Sequence, residues 1–162
     1  KESLRAKRCH LDSVVIRFYE AFRAKDGNAM ARCYGPEATF SDPVFPQLKG
    51  PEVGGMWKML CNRSQDIKID YHVKKLTPEN AIVEWNAYYT FSKTGRKVHN
   101  RVSSHLQIKG DHVISHIDTF DFYAWSRQAF GLLGVILGRT RFLKNKVRKE
   151  AANSLHQFLA KH

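Results

Sequence analysis

The run Ala38-Thr39-Phe40-Ser41-Asp42-Pro43-Val44-Phe45-Pro46-Gln47-Leu48-Lys49-Gly50 decides how the rest of the chain is read. It is a short extended segment with apolar neighbours, and it ends on a single carboxylate, Asp42. Asp before Pro starts turns and accepts backbone N–H bonds, so one reading of Asp42 is a turn cap. The other places it at the mouth of an apolar pocket as an acid or base. Neither reading names a substrate.

On the N-terminal side, Leu11, Val14, Val15, Phe18 and Phe22 recur at helical spacing between Leu11 and Lys25, and Asp26-Gly27-Asn28 stops that helix. A second, short helix is expected over Ala29 to Tyr34, closed by Gly35-Pro36. On the other side, Gly50-Pro51 begins a third helix, with Val53, Met56, Trp57 and Leu60 as its apolar stripe.

Four strands follow. Ile67, Ile69, Tyr71 and Val73 alternate with polar residues from Asp66 to Leu76, and Ala81, Val83, Trp85, Ala87, Tyr89 and Phe91 form one face of Ala81 to Phe91. After a turn at Lys93-Thr94-Gly95-Arg96, the strand Lys97 to Lys109 sets Val98, Asn100, Val102, Ser104, Leu106 and Ile108 against a wet face that includes His99 and His105. Gly110-Asp111 turns into the last strand, His112 to Asp121. Its two alternating sets, Val113, Ser115, Ile117, Thr119 and Ile114, His116, Asp118, Phe120, are both mixed, so periodicity does not orient it. With the second set inward, His116 and Asp118 project together into an apolar concavity, where burial is costly without partners or a function.

The remainder holds Phe122-Tyr123-Ala124-Trp125, a Gly-rich apolar run from Gly131 to Gly138, and a terminal helix from about Arg141 with one apolar and one basic face. Such a helix either lies on a membrane surface or packs against its own domain or a twin subunit, and packing is the expectation. The Gly131 to Gly138 run and the terminal helix are expected to close over the concavity or a neighbouring subunit, because an exposed stripe of Leu132, Leu133, Val135, Ile136 and Leu137 would be a large apolar patch.

These pieces resemble the nuclear transport factor 2-like superfamily, which includes ketosteroid isomerase and the SnoaL-like polyketide cyclases. Val14-Val15-Ile16-Arg17-Phe18-Tyr19, Ala38 to Val44, the Gly50 to Trp57 helix start and His116-Ile117-Asp118-Thr119-Phe120 carry the resemblance, over roughly Leu11 to Asp121. It implies an α+β fold, a cone-shaped curved antiparallel sheet wrapped around an N-terminal helix, with a C-terminal helical extension over about 122–162 of a single domain. It matches Asp42 to the general base of ketosteroid isomerases, and it points His116, Asp118 and Phe120 inward. The oxyanion-hole tyrosine of that family falls at Phe18, with Tyr19 one position on, and its protonated aspartate falls at Ser104. Those departures speak against a steroid isomerase, as the absence of a recognisable Arg-centred triad speaks against a limonene epoxide hydrolase. The resemblance implies a sheet-mediated homodimer.

Asp42, His116, Asp118 and Tyr19 are therefore the candidate catalytic residues, and Phe18, Phe22, Trp57, Trp85, Tyr89, Ser104, Phe120 and Trp125 the candidate pocket walls. A small, largely apolar molecule is the expected partner, handled by acid–base chemistry of isomerase, cyclase or hydrolase type. The alternative is a non-catalytic ligand-binding or protein-interaction domain. No cofactor is expected, and Cys9, Cys33 and Cys61, an odd number without C-x-x-C spacing, argue against a disulfide framework or a zinc cluster and read as reduced thiols.

At 162 residues the chain can bury roughly 70% of its unfolded surface without disulfides. No apolar run approaches the ~20 residues of a membrane span, and no signal-like segment follows the basic start, so a cytoplasmic protein is expected. The net charge of +12 is concentrated at the ends, with Arg139, Arg141, Lys144, Lys146, Arg148 and Lys149 within eleven residues. These charges are either solvated or rest on an acidic surface, with solvation the expectation, and nucleic-acid binding ranks last because no stacking aromatics are interleaved with them.

Overall fold

The computed structural model describes residues 13–161, so Cys9, Leu11 and the basic N-terminal residues lie outside the described residues. Helix α1, Val14–Arg23, starts where Ser13 accepts the Val15 N–H, and it buries Val14, Val15, Phe18, Tyr19 and Phe22 along one face. Asp26 accepts the Ala29 N–H and caps α2, Gly27–Arg32. The second helix is therefore shifted from the expected Ala29 to Tyr34. Tyr34, Gly35 and Pro36 belong instead to strand β1, Tyr34–Ser41, whose pairing with β6 changes register between Tyr34 and Thr39. That interruption is a place where proline's missing N–H costs no ladder bond. Strand β2, Leu48–Lys49, returns on β1, and α3, Pro51–Arg63, follows with Pro51 in its first turn.

Strands β3 (Lys68–Leu76), β4 (Asn80–Phe91), β5 (Arg96–Lys109) and β6 (His112–Thr119) form an antiparallel meander. The curved six-stranded sheet has the order β2-β1-β6-β5-β4-β3, and only the β1–β6 pair is parallel. Val83, Trp85, Ala87, Val102, Ser104 and Leu106 face the core, as their alternation requires. His105 is exposed, whereas His99 is half-buried, stacked on Tyr88 and bonded to Asn86.

Strand β6 changes phase within itself. Gln107 pairs with Ser115 and Ile108 with Val113, which leaves Ile114 as an extra residue in a β-bulge. Val113 is buried before the bulge, and His116 and Asp118 are buried after it. Neither alternating set faces inward throughout: Ile114, placed inward with His116 and Asp118 by the second set, is exposed.

Beyond β6, Asp121 accepts the Ala124 N–H and caps α4, Phe122–Phe130. The Gln128 side chain of α4 accepts from the His99 N–H and donates to the His99 carbonyl, satisfying both backbone groups of β5 beyond the end of β6. A small second core forms there from Val98, Phe122, Trp125 and Ala129. Helices α5, Leu132–Leu137, and α6, Arg141–Lys161, complete the extension. Helix α6 packs along α3, burying Leu155 beside Leu159 at Gly55, and the Arg148 guanidinium donates to the Pro43 carbonyl. Of the two segments expected to close over the concavity or a neighbouring subunit, α6 lies over the concavity and the α5 run does not: Leu132, Leu133, Val135 and Ile136 are all exposed. Its only fully buried position is Gly134, seated against α4.

Candidate functional site

The concave side of the sheet, α3, α4 and α6 enclose a cavity of about 260 Å³. Phe22, Trp57, Trp85, Tyr89, Phe120 and Trp125 line it, as do both candidate carboxylates, Asp42 and Asp118. Phe18, Tyr19, Ser104 and His116 do not reach the lining. They are fully or almost fully buried in the wall behind it, Phe18 in T-shaped ring contacts with Tyr19, Tyr34, Trp57 and His116.

Asp42 sits in the turn after β1, whose Phe40 is held in the sheet opposite His116 and Leu48. Its Oδ1 accepts the Val44 N–H at 2.7 Å and the Phe45 N–H at 2.5 Å, while its own N–H donates to the Phe45 carbonyl. Both side-chain bonds fall on Oδ1, so neither occupies Oδ2. Loss of hydration in the apolar lining pushes this carboxyl up to about 7. The Asp118 charge also pushes it up, while the two backbone N–H bonds and His116 oppose the rise.

Asp118 is fixed from behind by a chain of buried polar groups. Trp57 Nε1–H donates to Tyr34 Oη at 2.8 Å, and Tyr34 Oη lies 2.6 Å from His116 Nδ1. His116 Nε2 reaches Asp118 Oδ1 at 2.8 Å. A second branch runs from Tyr19 Oη and Trp85 Nε1, both donating at 2.8 Å to Ser104 Oγ, which in turn donates to Asp118 Oδ1. Every buried side-chain N and O among the described residues has a partner. Burial, and then the Asp118 charge, push both Tyr19 and Tyr34 well above the ordinary phenol range, so both remain protonated donors. Tyr19 is thus committed to Ser104 and does not reach a molecule in the cavity.

Two parts of this arrangement were not legible in the sequence. Tyr34, which links Trp57 to His116, sits after a short helix with no periodic signal, and its partners lie 23 and 82 residues away. Val147, Ala151 and Ser154 of α6 close one side of the cavity, although nothing in their spacing distinguishes them from any amphipathic helix. Among the described residues, no group of three His, Cys, Asp or Glu is placed to hold a metal ion.

The sheet curves around the N-terminal helix, and the SnoaL-like domain family matches residues 15–116, from α1 into β6. The chain belongs to the SnoaL-like domain family. No curated protein matches it significantly. Solved structures share the fold at low identity. A nuclear transport factor 2-like protein of unknown function from Burkholderia pseudomallei superposes with a TM-score of 0.62 at 14% identity, over 73% of this chain and 95% of the other. A protein with a ketosteroid isomerase-like fold from Catenulispora acidiphila, in complex with trimethylamine, gives 0.58 at 16%, over 72% and 91%. A provisionally assigned polyketide cyclase from Xanthomonas campestris gives 0.61 at 15%, over 72% and 93%. In each case about a quarter of this SnoaL-like chain has no counterpart in the match.

Proposed function

We propose that the protein is an enzyme that moves a proton on a small, largely apolar molecule held in the cavity, in a reaction of isomerase, cyclase or hydrolase type. The observation that carries this reading is that two carboxyl groups converge on one apolar cavity, where burial pushes one of them, Asp42, up to about 7. A group at that value is populated in both protonation states near neutrality, the condition under which general acid–base catalysis is most effective. Asp42 is the group that gives and takes the proton. Asp118 is the second carboxyl facing the bound molecule, and His116, Ser104, Tyr34 and Tyr19 position it rather than touching substrate. The provisionally assigned polyketide cyclase shares this fold, which is consistent with such chemistry.

The test follows hydrogen exchange with deuterated solvent in a panel of aromatic and alicyclic ketones by NMR. Exchange accelerated by the protein and lowered by at least ~10²-fold in Asp42→Asn supports the proposal. Binding without exchange, or exchange indifferent to Asp42, overturns it.

A second reading, a non-catalytic ligand-binding domain, is favoured by one observation. The groups around Asp118 are bonded to one another, and Tyr19 and His116 offer nothing to the cavity. Tight, pH-dependent binding of the same compounds with no exchange would establish it.

A further inference from the structure

Helix α5 is a six-residue apolar tip on which Leu132, Leu133, Val135 and Ile136 are exposed and Leu137 is half-buried. Leu132 is 74% exposed, Leu133 62% and Ile136 63%, and Phe142 at the start of α6 is 68% exposed. These are not loosely placed side chains. Gly134 and Gly138 press α5 onto α4 so closely that a Cβ at Gly134 would lie 2.0 Å from the Ser126 carbonyl oxygen, and one at Gly138 would meet Ser126 Oγ and the Tyr123 ring. The glycine seam faces inward, so the leucines and isoleucine point away from the protein.

The charge around the tip is of one sign. From Phe122 to Lys149 the chain contains no Asp or Glu and seven Arg or Lys residues. Arg127 and Arg139 both stack on the Tyr123 ring, at 4.9 and 4.5 Å, at the base of the tip. Arg141 and Lys146 are exposed beyond it. Protruding aliphatic side chains, an amphipathic tyrosine and a collar of cations without acids match the boundary of an anionic bilayer, with acyl chains for the tip and headgroups for the collar. A second copy of the same surface would bring two cationic collars together, which like-charge repulsion opposes. None of α5 lines the cavity, so the tip is separate from the candidate site. No helix among the described residues is long and apolar enough to cross a membrane, so the attachment is to one surface.

We propose that α5 and the start of α6 attach the protein peripherally to anionic lipid bilayers, with Leu132, Leu133, Ile136 and Phe142 inserted at the interface and Arg139, Arg141 and Lys146 on the headgroups. Attachment does not depend on the function proposed for the cavity.

The test floats the full chain with phosphatidylcholine vesicles, with and without about 30 mol% phosphatidylglycerol, at roughly 0.1 M and 0.5 M salt. Expected is partition into the anionic vesicles at least about tenfold above the neutral ones, weakened at high salt. Leu132→Asp with Ile136→Asp should abolish it at both salts without changing the melting temperature, because both side chains are already exposed. Arg141→Gln with Lys146→Gln should weaken it by roughly fivefold per charge removed. Any of three results overturns the proposal: no flotation of the parent chain with anionic vesicles, flotation undiminished by the two Asp substitutions, or a parent dimer without lipid binding that those substitutions dissociate.

Discussion

Asp42 answers to two opposing demands, since its Oδ1 caps a turn through the Val44 and Phe45 N–H groups while the carboxyl also faces an apolar cavity that disfavours its charge. The folded-state value near 7 lies above the ordinary ~3.9, which fixes the sign of its effect on stability. Below about pH 4 both states carry the proton and nothing is lost. Between about 4 and 7 the folded state keeps a proton that the unfolded chain releases, so stability falls as pH rises, by roughly 2–4 kcal/mol in total. Asn retains the capping oxygen but does not titrate. Asp42→Asn should therefore gain on the parent between pH 4 and pH 8, and parallel melting curves across that range would refute the shifted carboxyl. Tyr34→Phe tests the other group, because it strips the Trp57 N–H and His116 Nδ1 of their shared partner. A cost of about 1–3 kcal/mol in chemical denaturation is expected, against almost none for Tyr88→Phe at a 41% exposed position. Equal small losses at the two positions would mean that the buried chain of bonds is not maintained.

At the scale of elements, β4 and β5 behave as their alternation indicates, and the test of that pairing is Trp85. It is buried on the concave face with its indole N–H on Ser104, so Trp85→Ala should cost about 3–5 kcal/mol. His99→Ala should cost about 1 kcal/mol, because the half-buried ring loses one bond to Asn86 and its stacking on Tyr88, while the backbone bonds to Gln128 survive. Comparable losses at both positions in urea denaturation would contradict the assigned faces. The helix stripes of α1 and α3 were equally legible, since period 3.6 is written in the spacing of Val14, Phe18 and Phe22 and of Val53 and Trp57. Strand β6 was not, for a physical reason: a bulge at Ile114 shifts the inward set by one residue, so no single alternation describes the strand.

In the molecule as a whole, α6 closes the cavity and covers α3, burying Leu155 to 4% exposure. Leu155→Ala should cost about 2–5 kcal/mol and loosen that wall. Truncation after Ser126 makes the stronger statement. It removes the exposed apolar tip, which by itself would reduce binding of a hydrophobic dye. It also uncovers α3 and one side of the cavity, and dye binding should therefore rise. A fall in dye fluorescence at unchanged stability would show that α6 is not part of the closed structure in solution.

The sequence by itself determined the α+β class, the helix stripes, the alternating faces of β3 to β5 and the position of Asp42 at the end of an extended run. All of these are periodic or local, and the chain states them within a few residues. Its resemblance to a known superfamily added the inward direction of His116 and Asp118. Only the tertiary structure decided that Tyr34 joins Trp57 to His116, that Tyr19 is committed to Ser104, and that α6 forms a cavity wall while α5 does not. Those outcomes depend on partners tens of residues away, and a side chain's burial or hydrogen bond is fixed by what the fold brings against it, not by its neighbours in the chain.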